Sequence, residues 1–190
     1  MPRVIAGTAG GVPLAAPKGK STRPTLDRTK EAMFSAITAR IELEGARVLD
    51  CFAGSGQLGI EAISRGAEHA VLVESNAGAR QIIKQNLEKT GFGGRSMVLA
   101  LPMNRALEHL LEEGERYDLI LLDPPYGEAI RYFTNLCEKG LGSLLKPHGL
   151  LVLEHASSDE TVEFVKDLKQ IKRCKYGTAM LSFYESEDIA

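Results

Sequence analysis

Arg47-Val48-Leu49-Asp50-Cys51-Phe52-Ala53-Gly54-Ser55-Gly56-Gln57-Leu58-Gly59 is the stretch on which the fold turns. A short apolar run closes on an acid and passes into Gly54, Gly56 and Gly59, the GxGxxG spacing with which a buried strand turns into a helix beneath an adenosine-bearing ligand. Glycine suits these positions because the chain must turn sharply and let the ligand approach its backbone. Glu74, about 20 residues past the first glycine and at the end of the next apolar run, stands where a ribose-binding acid belongs. The triplet alone is weak. Between a strand and a helix, with that acid behind it, it makes an adenosine-type cofactor site the leading reading.

Outward from this loop the chain alternates. Apolar runs predict strands at about 46–51, 70–74, 96–101, 117–122 and 149–154, each followed by a helical stretch, at about 57–65, 77–89, 104–113, 128–139 and 158–167. Nearly continuous apolar strands alternating with helices predict a parallel sheet covered on both faces. The end breaks the rhythm: 169–175 and 179–184 are strand-like and joined through Tyr176-Gly177, which predicts an antiparallel hairpin at one edge. The expected fold class is therefore α/β, a mostly parallel, doubly wound, seven-stranded sheet with a C-terminal antiparallel hairpin. Ahead of it, Pro24-Thr25 reads as a helix start with Thr25 as N-cap and Asp27 in the first turn, and Leu26, Met33, Ile37 and Ile41 carry the helical period to about Glu44-Gly45. The segment 7–24, punctuated by Pro13, Pro17 and Pro24, reads as an extended arm or a short hairpin. The chain thus divides into a basic N-terminal arm and helix, 1–44, and a catalytic domain, 45–190.

Asp50 bears on which cofactor the loop takes. A dinucleotide would lay its pyrophosphate close to that carboxylate and be repelled, whereas S-adenosylmethionine carries no phosphate and brings an ammonium that the acid attracts. As an ordinary turn former Asp50 would be unremarkable, but that reading leaves the rest of the loop unexplained. A second acid closes the fourth strand in Asp123-Pro124-Pro125-Tyr126. Ligands bind outside the carboxyl ends of an open parallel sheet where strand order reverses, so Asp50 and Asp123 are expected to face one crevice. Two prolines stiffen the loop and remove two N–H donors, leaving carbonyls that, with the carboxylate, suit an amino group. Tyr126 adds a flat face on which a base can stack. The lone pair of a nucleobase amine is delocalised into its ring; acceptors holding both hydrogens favour a geometry that aims the pair at a methyl group. A plain rigid loop is the alternative for this tetrapeptide, and its place opposite the glycine loop counts against it.

Composition bounds these readings. The chain has 190 residues, 44% hydrophobic and 25% charged, which fits one globular domain and excludes disordered, collagen-like and coiled-coil classes. The net charge of -2 argues at first against a nucleic-acid partner, but it is the sum of +5 over residues 1–30 and -7 over the remainder. A local basic patch attracts phosphate even on an acidic protein; on charge alone the segment is equally a solvated tail. Cys51, Cys137 and Cys174 lack CxxC spacing, His69, His109, His148 and His155 make no metal-ligand pattern, and no apolar run approaches membrane-spanning length. A cytoplasmic protein without metal is expected.

These motifs carry a resemblance. Asp123-Pro124-Pro125-Tyr126 is similar to the signature of methyltransferases acting on exocyclic amines. Arg3-Val4-Ile5, Arg23 to Glu31, Asp50 to Gly56, Tyr176-Gly177 and Leu181 to Tyr184 together resemble the RsmD family of bacterial 16S ribosomal RNA guanine-N2 methyltransferases. The resemblance implies a Rossmann-like class I S-adenosylmethionine-dependent methyltransferase fold, with transfer to the 2-amino group of one guanine of 16S rRNA in a small-subunit assembly intermediate. It assigns catalysis to Asp123, Pro124, Pro125 and Tyr126. Cofactor binding falls to Asp50, Phe52, Ala53, Gly54, Ser55, Gly56 and Gly59, with Glu74, Ser75, Pro102 and Met103 from the following loops. RNA contacts fall to Arg3, Lys18, Lys20, Arg23 and Arg28 of the extension, and a monomer is expected. This sequence departs from the family pattern at Val12, where a basic residue is usual, and at Thr178, where Asp is frequent. It departs again at Ala100-Leu101-Pro102-Met103, which lacks the polar side chain that often meets the adenine amino group and leaves that contact to backbone.

Three other readings compete. A DNA adenine or cytosine amino-methyltransferase shares the tetrapeptide but calls for a target-recognition domain for which the chain has no room. A nicotinamide-dependent oxidoreductase follows from GxGxxG alone. A non-catalytic RNA-binding module would have no reason to keep Asp50, Glu74 and Asp123 together.

Overall fold

Along Val48-Leu49, Leu119-Ile120-Leu121-Leu122 and Leu150-Leu151-Val152-Leu153 every side chain is buried. Alternate residues of a strand point to opposite faces, so a run buried throughout belongs to a sheet covered on both sides. The computed structural model describes residues 2–17, 24–125 and 127–186. Of the expected site residues, Lys18, Lys20, Arg23 and Tyr126 lie outside the described residues, as does the side chain of Thr25, the expected N-cap. The elements are α1 (Pro24–Thr38), β1 (Arg47–Asp50), α2 (Gln57–Ser64), β2 (His69–Val73), α3 (Ala77–Thr90), β3 (Ser96–Leu99), α4 (Met103–Glu112), β4 (Tyr117–Leu122), α5 (Ala129–Glu138), β5 (Leu145–Ala156), β6 (Phe164–Val165), β7 (Leu168–Tyr176) and β8 (Ala179–Ser186).

The sheet runs β3-β2-β1-β4-β5-β8-β7-β6. The first five strands are parallel, and β8, β7 and β6 join antiparallel. Val48, Leu119, Leu121, Leu150 and Val152 share one core with Met33, Phe34 and Ile37 of α1 and with α2 and α3. Leu49, Ile120, Leu122, Leu151 and Leu153 share the other with α4 and α5. Each such buried side chain contributes roughly 1.5–3 kcal/mol, which fixes strand register because a slip of one residue would exchange the two faces. Strand order reverses between β1 and β4, and that is where the glycine loop and the Asp123 loop emerge.

Three expectations are corrected. Residues 158–167 form no helix: they bend and then enter β6, with Val165 opposite Leu168 and Phe164 opposite Lys169. The edge of β7 offers unpaired backbone groups there, Lys166 takes a positive φ of 56° to make the tight return, and the Tyr184 hydroxyl donates to the Val162 carbonyl at 3.1 Å. Among the described residues the sheet therefore has eight strands rather than seven. Helix α1 stops at Thr38 instead of running to Glu44-Gly45, its hydroxyl turned back onto the Phe34 carbonyl at 3.0 Å while the Arg40 amide bonds to Ile37 in a tightened turn.

A hairpin forms earlier than the expected 7–24, Arg3 bridging antiparallel to Pro13, and packs on the body; residues 18–23 of that segment lie outside the described residues. Val4 and Val12 bond across it, Val4 and Leu14 are fully buried, and the Ile5 and Ala6 amides donate to the two oxygens of Glu61 at 2.7 and 3.1 Å. Ser64 and Asn86 hold Ala9 and Ala15 in the same way. Lys30, counted with the basic patch, is buried, donating to the Arg3 carbonyl at 2.6 Å and lying 3.5 Å from Glu61. Burial pushes its pKa down, and Glu61 opposes that shift.

Candidate active site

β1 ends at Asp50, and the loop that follows reaches α2 through Gly54 and Gly56, whose φ angles of 56° and 80° no side-chain-bearing residue adopts cheaply. Gly59 serves close packing: a Cβ there would lie 2.2 Å from Leu72 Cδ2, so the bare backbone lets α2 settle against β2. Glu74, just past β2, accepts from the Gly54 amide at 2.9 Å and from the Asn76 amide at 2.7 Å. It therefore braces the glycine loop, and a carboxylate with two further lone-pair sites can still receive hydroxyls from the cleft.

The carboxyl edge of the sheet opens into a cleft of about 670 Å³, within the usual range for a ligand of cofactor size. Of the expected cofactor set, Phe52, Gly54, Glu74, Ser75, Pro102 and Met103 line it; Asp123, Pro124 and Pro125 line it from the other loop. A smaller cavity of about 270 Å³ beside it is lined by Ala53, Ser55 and Lys30, and shares Thr29, Phe52, Gly54, Asp123 and Glu154 with the main cleft. Asp50, Gly56 and Gly59 line neither: they shape the loop from beneath. Arg3 and Arg28 are exposed and line neither cavity, with Arg3 3.4 Å from Asp27.

The expectation that Asp50 faces the crevice is corrected. It is 1% exposed; Oδ2 accepts from the Gly59 amide at 3.1 Å, and Oδ1 is buried with no hydrogen-bond partner. Burial raises its pKa to about 7, the Gly59 amide pulling down and Asp123 adding to the rise. Asp123, by contrast, is exposed to the cleft.

Sequence reasoning missed several lining residues. Asn104 offers the polar side chain that Ala100 to Met103 lack, two positions past Pro102 and on the first turn of α4. Tyr132 of α5 meets Phe52 edge to face with ring centroids 5.5 Å apart, giving the cleft an aromatic wall. Glu154 follows the apolar run 150–153 within β5 as Asp50 follows Val48-Leu49 in β1, so an acid ending an apolar run was the available signal. Its burial and the charge of Asp123 raise its pKa to about 8. His155 lies between the Ala156 carbonyl, 2.9 Å from Nδ1, and the Ser182 hydroxyl, 2.8 Å from Nε2. A carbonyl only accepts, so Nδ1 carries the proton and Nε2 accepts from Ser182; burial lowers the pKa and keeps the ring neutral. Cys51 also lines the cleft, but burial pushes its thiol well above the usual range, so it is no nucleophile at neutral pH. Among the described residues no cluster of three His, Cys, Asp or Glu could hold a metal, and no helix is long and apolar enough to cross a membrane.

The arrangement joins an acceptor-rich rim to an apolar, aromatic-walled cleft with a ribose-competent acid. It can hold a nucleoside-bearing cation at one end and an amino group at the other. A family model described as conserved hypothetical protein 95 matches residues 2–185. The chain is 37% identical over 184 residues to "Putative rRNA methyltransferase YlbH" of Bacillus subtilis (strain 168), covering 96% of this chain and 98% of that one. It is 36% identical over 137 residues to ribosomal RNA small subunit methyltransferase D of Escherichia coli (strain K12), covering 72% of this chain and 66% of that protein. Among solved structures, a hypothetical protein of Thermus thermophilus superposes with a TM-score of 0.83 at 31% identity, over 97% of this chain and 99% of the other.

Proposed function

The chain belongs to the RsmD family, the one described as conserved hypothetical protein 95, and from that premise we propose that it transfers a methyl group from S-adenosylmethionine to the exocyclic N2 amine of a guanine in 16S ribosomal RNA. The observation that carries this reading is the meeting of Asp123 and the glycine loop at one cleft.

The residues present fit the cofactor. Glu74 would receive the ribose hydroxyls, Phe52, Leu101, Pro102 and Met103 would flank the adenine, and Asn104 would meet its polar edge. The buried charge of Asp50, whose Oδ1 lacks a partner, would be compensated by an ammonium at the loop. When bound, S-adenosylmethionine supplies a methyl group made electrophilic by its sulfonium. Asp123 and the Pro124 carbonyl would accept the two hydrogens of the amine and aim its lone pair into the cleft. The Pro124-Pro125 pair holds that geometry with little freedom to lose. Phe52 and Tyr132 exclude water from the same wall, and Tyr126 is assigned the stacking face for the base. The extension, residues 1–44, would meet the RNA through Arg3, Lys18, Lys20, Arg23 and Arg28, with a small-subunit assembly intermediate as the substrate.

Labelled methyl transfer to deproteinised 16S rRNA and to partly assembled small subunits, with the product nucleoside identified chromatographically, tests the proposal. N2-methylguanosine formed preferentially in the particle is expected. Folded protein that labels neither substrate, or that yields another nucleoside, overturns it.

A further inference from the structure

The chemistry given to Asp123 leaves Glu154 without a task. β5 runs parallel to β4 with Leu153 opposite Leu122, so Glu154, still within β5, comes next to Asp123 at the point where β4 ends. Both line the main cleft and the smaller cavity beside it. On its other flank Glu154 is opposite the fully buried Leu181 of β8, and among the described residues no lysine or arginine pairs with it. A carboxylate placed beside the reacting amine, next to a second carboxylate and short of a cation, is set up to take a proton.

We infer that Glu154 receives the proton that the acceptor amine sheds, beside Asp123, which positions the amine; the inference rests on the transfer reaction proposed above. The amine nitrogen forms its bond to the methyl carbon as the carbon–sulfur bond breaks, and the electron pair of that bond stays on sulfur. The nitrogen is left with one proton more than the neutral methylamine holds. Glu154 takes that proton on a carboxylate oxygen and returns it to water after the product leaves.

The loss of the sulfonium charge times this handover. A cation beside two carboxylates favours their ionised forms; once sulfur is neutral, burial and the charge of Asp123 again favour a proton on Glu154. A base poised near neutral pH is the efficient one. The other titratable groups sharing its cavities are Cys51 just past β1, Glu74 after β2, Lys30 of α1, Tyr132 of α5, packed edge to face on Phe52, the adjacent His155 and Tyr176 of β7, with Asp50 beneath the loop. Glu74 is held by two backbone amides, Lys30 is turned to Glu61, and His155 is neutral. Cys51 and Tyr176 are pushed up by burial and stay protonated. Asp123 is thus the charge to which Glu154 answers.

The first test needs no RNA. The Glu154 carboxyl is titrated by carbon-detected NMR in the whole protein saturated with S-adenosylmethionine or with S-adenosylhomocysteine, binding of each being verified by calorimetry. The midpoint should lie about one pH unit or more lower with the sulfonium compound. Equal midpoints overturn the inference, whichever nucleic acid proves to be the substrate. The second test is single-turnover transfer against pH. Glu154→Gln should lose about 10²-fold in rate together with the wild-type rise toward pH 8, while cofactor affinity stays within a few-fold. A variant that keeps both the rate and the pH limb overturns it as well. Wild-type protein that shifts its midpoint but methylates no rRNA counts against the proposed substrate and not against Glu154.

Discussion

Asp50 and Asp123 close neighbouring parallel strands, and a difference of two residues in register separates their roles. Asp50 is paired with Leu121, so β4 continues past it before releasing Asp123. Asp50 is consequently trapped beneath the glycine loop at 1% exposure, while Asp123 emerges into the cleft. The same residue type at the same kind of strand end is a buried charge awaiting compensation in one case and an accessible acceptor in the other. Where an acid stands along the strand register decides its chemistry more than the motif that contains it.

Asp123→Ala challenges this division of labour most severely. Methyl transfer should fall about 10²–10³-fold while cofactor affinity stays within a few-fold, since in the proposed reaction an accessible acceptor would act on the reacting amine. Equal losses in both would erase the distinction between the two acids. Asp50→Asn should do the reverse, weakening cofactor binding about tenfold, which is the worth of one ion pair of about 1.4 kcal/mol, with a smaller effect on the rate of bound complex. It should also stabilise the fold. The Asp50 pKa is raised from 3.8 to about 7, so the unfolded chain ionises first and the native state loses ground as pH climbs through that window. Urea denaturation should therefore show an advantage for Asn over Asp that grows from pH 4 to pH 7 and then levels, on the order of a few kcal/mol. An advantage independent of pH would contradict the burial of that charge. The smallest effects belong to the extension. Neutralising Lys18, Lys20 and Arg23 one at a time should reduce the salt dependence of RNA binding by roughly 0.7–0.9 of a log–log slope unit for each phosphate that is no longer neutralised. Unchanged slopes would leave those charges without a part in RNA binding.

Much of the fold was legible because it is written in patterns of the kind that backbone geometry enforces: the glycine loop, the apolar runs buried on both faces, and the Tyr176-Gly177 hairpin. What escaped depended on partners distant in sequence. Residues 158–167 have apolar spacing compatible with a helix, yet the free edge of β7 draws Phe164 and Val165 into a strand. Lys30 counts as surface charge until Glu61, 31 positions away, is seen to hold it in the interior. That Gly54 and Asp123 meet at one cleft was legible, but the burial of Asp50 follows from how far β4 extends, which an isolated loop does not display. Asn104 stands one position beyond the Ala100 to Met103 loop, on the first turn of α4, where no motif marks it. Glu154 carried the same signal as the other two acids, a carboxylate ending an apolar run, without a motif around it.

The proposed methylation of one guanine amine in this cleft, with Asp123 proposed as the acceptor of its hydrogens, is tested by nucleotide-resolution mapping of N2-methylguanosine in small-subunit rRNA. The RNA is taken from cells lacking the protein and from the same cells supplied with wild-type or Asp123→Ala protein. One guanine should be unmethylated in the first, methylated with the wild type, and unmethylated again with the variant. An identical methylation map in all three would contradict the assignment.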